Sequence, residues 1–222
     1  MTKVGVLISG RGSNLQALIA ACAAEAYPAE IALVISSRAE APGLGLAAAA
    51  GIPSAVITDR ERASFAAAAE PLLRERRIEL ICLAGFMRVL DADFVEVWRN
   101  RMVNIHPSLL PSFRGLHAQR QAIAAGVRFS GCTVHFVRPE LDCGPIIGQA
   151  VVPIHADDDE ARLSARILTV EHRLYPLSVR LIAEGRVRVV ADRVEIAGVR
   201  APDIAALNPQ DRPGDALAST QG

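Results

Sequence analysis

Short runs of valine, isoleucine and leucine alternate with alanine-rich amphipathic stretches over the first 106 residues, and few folds accommodate that alternation. The runs are residues 3–9 (KVGVLIS), 30–36 (EIALVIS), 54–58 (SAVIT), 79–85 (ELICLAG) and 101–106 (RMVNIH). They are apolar on both faces, as strands of a parallel sheet covered on both sides must be. The helical segments between them begin near Asn14, Gly43, Arg62 and Asp91, each after turn residues and each with Leu, Ala or Phe at helical spacing. The pattern predicts an open, doubly wound α/β sheet of Rossmann-like type.

After Pro107 the pattern changes. A Pro/Ser/Gly-rich loop through Gly115 and a short helix near Ala118 lead to two longer apolar runs, residues 129–137 and 145–154. These are expected to pair antiparallel at one edge of the sheet. Leu163, Ile167, Val170, Leu174, Leu177 and Leu181 then mark one face of a long helix that starts after Asp157-Asp158-Asp159, with a kink expected at Pro176. A hairpin follows, residues 186–190 and 193–196, turning at Ala191-Asp192. Residues 201–222 are rich in Pro, Gly, Asp and Ser without periodicity and read as a disordered tail, leaving one domain over 1–200.

Composition enters as a set of exclusions. Lys+Arg and Asp+Glu both total 24, so no overall field draws the chain to nucleic acid or an anionic membrane. Cys22, Cys82, Cys132 and Cys143 lack the paired spacings of zinc or redox motifs, and His117, His135, His155 and His172 are scattered without ligand spacing, so no metal is expected. No apolar stretch is long enough for a bilayer, and the opening segment breaks at Gly10-Arg11-Gly12 before forming a signal-peptide core. The expected setting is the reducing cytoplasm.

Two groups of residues carry chemistry. Gly10-Arg11-Gly12-Ser13-Asn14 lies where the first strand meets the first helix, a place where backbone N–H groups converge on an anion. Leu15 stands where a dinucleotide fingerprint needs its third glycine, the second strand ends in Ser36-Ser37-Arg38 without an acid, and no Gly-Lys-Ser/Thr follows. Spacing alone leaves two readings open, a phosphate site and a tight turn capped by Ser13 or Asn14. The second group is Asn104 and His106, on one face of the fifth strand's carboxyl end, with Asp142 in the Glu140–Pro145 turn. An amide and an imidazole suit the oxyanion of acyl transfer, and a carboxylate beside the imidazole favours its cationic form. Each also has a structural alternative, as a turn residue, a strand end and an Asx-turn.

The segments VLISGRGSNLQALI, LAGFMRVL, VNIHPSLLPSFRGLHAQRQAI, GCTVHFVRPELDCGPIIGQAVVPI and EHRLYP together resemble the small folate-dependent phosphoribosylglycinamide formyltransferase family, in order from Lys3 to about residue 191. The resemblance implies a formyltransferase-type fold with a phosphate-binding half over about 1–100 and a folate and catalytic half over about 80–191. It implies Gly12, Ser13 and Asn14 on the ribonucleotide phosphate and Glu171 on the glycinamide substrate. Asn104, His106 and Asp142 fall on the family's catalytic residues. Met87, Arg88, Val89 and Leu90 fall on the segment lining the folate pocket, with Asn104, Val137, Glu140 and Leu141, and with Arg62 as the family's arginine and Arg60 as the alternative. The implied donor is 10-formyltetrahydrofolate and the implied acceptor glycinamide ribonucleotide, with no nucleic acid, membrane or metal, in a monomer or homodimer. Arg11 between the loop glycines and Cys143 after Asp142 depart from the family pattern. Methionyl-tRNA formyltransferase and formyltetrahydrofolate hydrolase share the module but carry further domains, and a non-catalytic nucleotide-binding protein has no use for the polar trio.

Overall fold

All five apolar runs of the first half form strands in a computed structural model that describes residues 1–201, 203 and 205–208. These are β1 (Thr2–Ile8), β2 (Ala29–Ser36), β3 (Ser54–Val56), β4 (Leu80–Leu83) and β5 (Met102–His106). They are linked by the helices α1 (Ser13–Cys22), α2 (Gly43–Ala49), α3 (Arg62–Glu75) and α4 (Ala92–Val97). The chain continues through α5 (Ala118–Ala124), β6 (Phe129–Phe136), β7 (Ile146–Pro153), the long α6 (Glu160–Ala183) and the hairpin β8 (Val187–Val190) and β9 (Arg193–Ile196). The seven-stranded sheet has the order β3-β2-β1-β4-β5-β6-β7, parallel through β5 and antiparallel from β5 to β6 to β7. The expected fold class is therefore realised, down to its antiparallel edge.

Two apolar layers hold the sheet. Val4, Val6 and Ile8 of β1 pack with Leu15 and Leu18 of α1 and with Leu163, Ile167, Tyr175 and Val179 of α6. Leu7, Leu33, Ile35 and Ile81 pack on the other side with Phe65, Ala69 and Leu73 of α3 and with Phe94 and Trp98 at α4. The alternation of neighbours along β1 follows from the period of two. Strand order reverses between β1 and β4, because the first two crossovers move outward to β3 and the next begins again on the far side of β1. Ligands of open α/β sheets bind at such a reversal, beyond the carboxyl ends of the strands.

The long helix differs from its sequence reading in one respect. Its buried stripe is Leu163, Ile167, Glu171, Tyr175, Ser178 and Val179, with Leu181 at its end, whereas Leu177 is 41% exposed. Steps of four carry the stripe through Glu171 and Tyr175, two polar residues that a tally of aliphatic side chains passes over. The helix runs unbroken past Pro176, whose carbonyl accepts a hydrogen bond from the Tyr27 hydroxyl at 2.8 Å. The expectation of disorder over 201–222 falls largely outside the described residues. Within them, Asn208 donates to the Arg128 carbonyl at 2.6 Å.

Tyr175 is fully buried, and its hydroxyl lies 2.9 Å from the Leu83 carbonyl and 3.2 Å from the Val103 carbonyl, joining α6 to β4 and β5. Tyr175→Phe removes the donor and leaves two buried acceptors with one partner fewer. Urea denaturation is expected to show a loss of about 1–2 kcal/mol, and an unchanged midpoint would mean that those carbonyls are satisfied elsewhere.

Candidate active site

The glycine loop leaves β1 and enters α1 through Gly12, which has φ 79° and caps the helix without any side-chain hydrogen bond. A Cβ at Gly12 would lie 2.8 Å from the Gly43 Cα at the start of α2, so the approach of the two helix starts requires glycine. Neither Ser13 nor Asn14 caps the helix, so the first turn of α1 has no side-chain cap for its N–H groups. Asn14 is instead turned inward, its Nδ2 donating to Glu171 Oε2 at 2.8 Å while its Oδ1 is buried with no partner. Glu171 comes from the buried stripe of α6. Burial pushes its carboxyl up from the ordinary range, and the Asn14 amide opposes the shift. Arg11 is exposed.

The polar trio is assembled by the antiparallel edge. Asn104 pairs with His135 across β5 and β6, and His106 with Thr133, so these four side chains share one sheet face, while Ile105 points into the opposite layer. Asp142 arrives from the β6–β7 turn in a left-handed conformation, φ 48°, and Gly144 follows where a Cβ would lie 1.8 Å from the Phe136 carbonyl oxygen. One Asp142 oxygen, Oδ2, accepts from the Gly115 N–H at 2.9 Å and lies 3.4 Å from His106 Nδ1; the other, Oδ1, lies 3.7 Å from His135 Nε2. His106 Nε2 is 2.9 Å from the Phe113 carbonyl. Both ring nitrogens of His106 thus face oxygen acceptors.

His135 is the residue that sequence reasoning passed over as a scattered histidine. Its Nδ1 donates to the Phe136 carbonyl at 3.0 Å, and its Nε2 lies 3.3 Å from Asn104 Nδ2. Burial lowers its pKa and favours the neutral ring, so Nε2 accepts from Asn104 and fixes the amide's orientation. The signal in the sequence was the period of two: Thr133 and His135 share a face of the sixth strand, as Asn104 and His106 share one of the fifth.

A cavity of about 110 Å³ adjoins this group, lined by Asn104, His135 and Asp142 together with Leu83, Phe86 and Val95, while His106 lies outside its lining. Arg88, Val89, Leu90, Val137, Glu140 and Leu141 also line it, with Arg138 and Pro139. Met87 turns instead to a neighbouring cleft, which Arg60 also lines, while Arg62 opens α3 and lines neither space. Cys143 is exposed, and burial of its thiol together with the nearby Glu140 raises its pKa, which disfavours a nucleophilic thiolate. Among the described residues no group of three His, Cys, Asp or Glu side chains is placed to hold a metal, and no helix is long and apolar enough to cross a membrane.

An open α/β sheet that gathers an amide, two imidazoles and a carboxylate at its antiparallel edge holds donor and acceptor groups of the kind that acyl transfer uses. The chain belongs to the formyl transferase family, which it matches over residues 2–179. It is 42% identical to the phosphoribosylglycinamide formyltransferase of Escherichia coli strain K12, over 89% of this chain and 94% of that protein. It is 51% identical to the trifunctional purine biosynthetic protein adenosine-3 of Drosophila pseudoobscura pseudoobscura over 86% of this chain, which spans 14% of that longer protein. The crystal structure of glycinamide ribonucleotide transformylase 1 from Symbiobacterium toebii superposes with a TM-score of 0.85 at 47% identity, covering 88% of this chain and 94% of that one.

Glu171 supplies a test of the electrostatics. A carboxyl whose folded pKa is raised contributes most below its unfolded pKa and costs stability as pH rises through the folded value. Glu171→Gln keeps an acceptor for Asn14 and removes the buried charge, so Tm at pH 8 is expected to rise by at least about 2 °C, the scale of 1 kcal/mol in a domain of this size. The gain should vanish near pH 4. A gain independent of pH, measured by calorimetry, would show that burial of the charge is not its source.

Proposed function

We propose that the chain transfers the formyl group of 10-formyltetrahydrofolate to the amine of glycinamide ribonucleotide, as a soluble cytoplasmic enzyme of purine synthesis. The observation that carries this reading is the Asp142 carboxylate held against His106 and His135 with Asn104 beside them, where Asn104, His135 and Asp142 line a cavity together with the apolar Leu83, Phe86 and Val95. The apolar side chains Leu83, Phe86 and Val95 suit a flat heteroaromatic ring, and the chain segments 88–90 and 137–141 offer backbone groups to its edge. The start of α1 takes the ribonucleotide phosphate through its N–H groups, and Glu171 accepts from the glycinamide substrate.

The chemistry follows from these placements. The neutral amine attacks the formyl carbon, the carbonyl oxygen becomes an oxyanion, and donors fixed in advance stabilise it more than they stabilise the substrate. Asn104, oriented by His135, offers an amide hydrogen. His106 offers an N–H once the Phe113 carbonyl, its present partner at 2.9 Å, yields that hydrogen. Asp142 balances the imidazolium charge and stands near enough to receive the proton that the amine loses, directly or through one water. Collapse of the tetrahedral centre returns a proton to the departing nitrogen of the donor, so no net proton is consumed. The relatives named above carry names that agree with this reading.

The direct experiment is a product assay with glycinamide ribonucleotide and 10-formyltetrahydrofolate, run beside a control without amine. Amine-dependent formation of formylglycinamide ribonucleotide supports the proposal, and equal donor breakdown in the control points to hydrolysis instead. Asp142→Asn preserves shape and deletes the charge, so kcat is expected to fall by roughly two to four powers of ten. His106→Ala should cost at least as much, and the double variant should be little worse than the worse single one, because the pair acts as a unit. Losses that multiply would show two independent residues, and wild-type turnover in Asp142→Asn would return Asp142 to a turn role.

A further inference from the structure

The β6–β7 turn leaves the sheet at the amino end of β5, away from His106. Phe136 closes β6 opposite Val103, and the Val137 N–H donates to the Met102 carbonyl at 2.9 Å. His106 closes the carboxyl end of β5, so the turn has to fold back over the sheet to set Asp142 beside it. Among the described residues, none of residues 138–144 makes a backbone-to-backbone hydrogen bond. Side chains therefore hold the turn in its folded-back course. At its tip, Asp142 is held by the Gly115 N–H at 2.9 Å. At its root stands Arg138, which is buried, whereas Pro139, Glu140, Leu141 and Cys143 are exposed.

Arg138 ties three turns together. Its Nη1 donates to the Val137 carbonyl at 3.1 Å, and its Nη2 to Asn100 Oδ1 at 2.8 Å, in the turn between α4 and β5. The same Nη2 donates at 3.3 Å to Oδ1 of Asp192, which has φ 57° at the tip of the β8–β9 hairpin and lies 3.8 Å from Arg99. The Arg138 stem backs the far side of the turn, where a Cβ at Gly144 would lie 3.2 Å from Arg138 Cγ. A buried guanidinium whose Nε has no partner costs folding free energy that an apolar residue would avoid, so packing alone gives no reason for it. Arg138 also lines the cavity beside His135 and Asp142. Burial does most to lower the His135 pKa, and the charges of His106 and Arg138 act in the same direction, against the Phe136 carbonyl and Asp142.

We propose that Arg138 is a positioning residue: it fixes the root of the β6–β7 turn so that Asp142 stays against His106 and His135, and Asp192 of the β8–β9 hairpin helps to hold it there. The proposal rests on the catalytic reading of Asp142 given above. It brings into the site a hairpin, residues 187–196, that lies beyond the stretch of residues 2–179 matched to the family.

The test is a double-variant comparison of kcat for formyl transfer, normalised to folded protein by circular dichroism. Arg138→Met keeps the stem and removes the fork, and kcat is expected to fall by roughly 10- to 100-fold, the scale of a small misplacement at a reacting group. The Kd for glycinamide ribonucleotide, measured by calorimetry, should stay near the wild-type value. In an Asp142→Asn background the same substitution should cost less than about twofold further, because a residue that acts through another is not additive with it. A residue that only stabilised the fold would lower Tm and leave kcat per folded molecule unchanged in both backgrounds. Arg138→Lys keeps the cation and one donor for Asn100; it should recover part of the loss, and it carries the same comparison where the methionine variant does not fold. The Asp192 side chain is 71% exposed, so Asp192→Asn should fold normally and lower kcat by about two- to fivefold, the scale of an exposed ion pair. Wild-type kcat in the Arg138 variants, or losses that multiply with that of Asp142→Asn, overturns the positioning role and leaves the functional proposal standing. Wild-type kcat in Asp192→Asn overturns the hairpin's part in it. Absence of formyl transfer by the wild-type chain overturns both proposals.

Discussion

The antiparallel pairing of β5 with β6 is the constraint on which the site depends. A sheet that stayed parallel would need a crossover helix after β5 and could not set His135 opposite Asn104 or bring the next turn back over His106. With the reversal, one register gives three results. His135 accepts from the Asn104 amide, Thr133 stands beside His106, and the β6–β7 turn delivers Asp142 to the same face. The pairing of β6 with β7, which carries that turn, is fixed by close backbone contact as well as by hydrogen bonds. Gly131 and Gly144 lie where a Cβ would come within 1.9 Å of the Ala150 and 1.8 Å of the Phe136 carbonyl oxygens respectively.

Most of the architecture was legible because it rests on local periodicity. Apolar runs bounded by turn residues located all seven strands of the main sheet, and the change of pattern at Pro107 located the antiparallel edge. The polar stripe was less legible for a physical reason. Glu171 and Tyr175 are buried in α6 among aliphatic residues, where hydrophobic periodicity assigns a carboxylate and a phenol to solvent. His135 escaped for a related reason, since its role depends on which strand lies opposite and in what register, and neither is written in the sixth strand alone. The two arginines near the third strand were separable only in three dimensions, where Arg60 turns to the cleft and Arg62 begins a helix.

Polar burial at the site is concentrated where ligands are expected. Asn14 buries an amide oxygen without a partner, and Glu171 is buried with its carboxyl pKa raised, next to a helix start whose N–H groups are uncapped. Each of these costs folding free energy, since a buried polar group loses water without full replacement. The rest of the fold offsets the cost through two apolar layers with large, fully buried side chains such as Tyr175, Phe65 and Leu163. The buried Asn14–Glu171 pair is more readily explained by binding than by packing, because packing alone would favour apolar residues at positions 14 and 171.

The loop between β5 and α5 completes the site and also restrains it. Thr133 donates to the Ser108 carbonyl at 2.7 Å and accepts from the Leu110 N–H at 3.0 Å, and Gln149 donates to the Leu110 carbonyl at 2.9 Å. The first half of the loop is thereby fixed to β6 and β7. Its second half holds the reacting groups from outside: the Phe113 carbonyl occupies His106 Nε2, and the Gly115 N–H occupies Asp142 Oδ2. Those two contacts orient the imidazole and the carboxylate relative to one another. The second half is tied to α5 in turn, where Gln121 donates to the Arg114 and Leu116 carbonyls at 3.2 and 2.9 Å, and Phe113 and Gly115 turn the chain with left-handed torsions, φ 55° and 76°. The orientation of the His106 and Asp142 side chains therefore resides in a loop held on one side by β6 and β7 and on the other by α5.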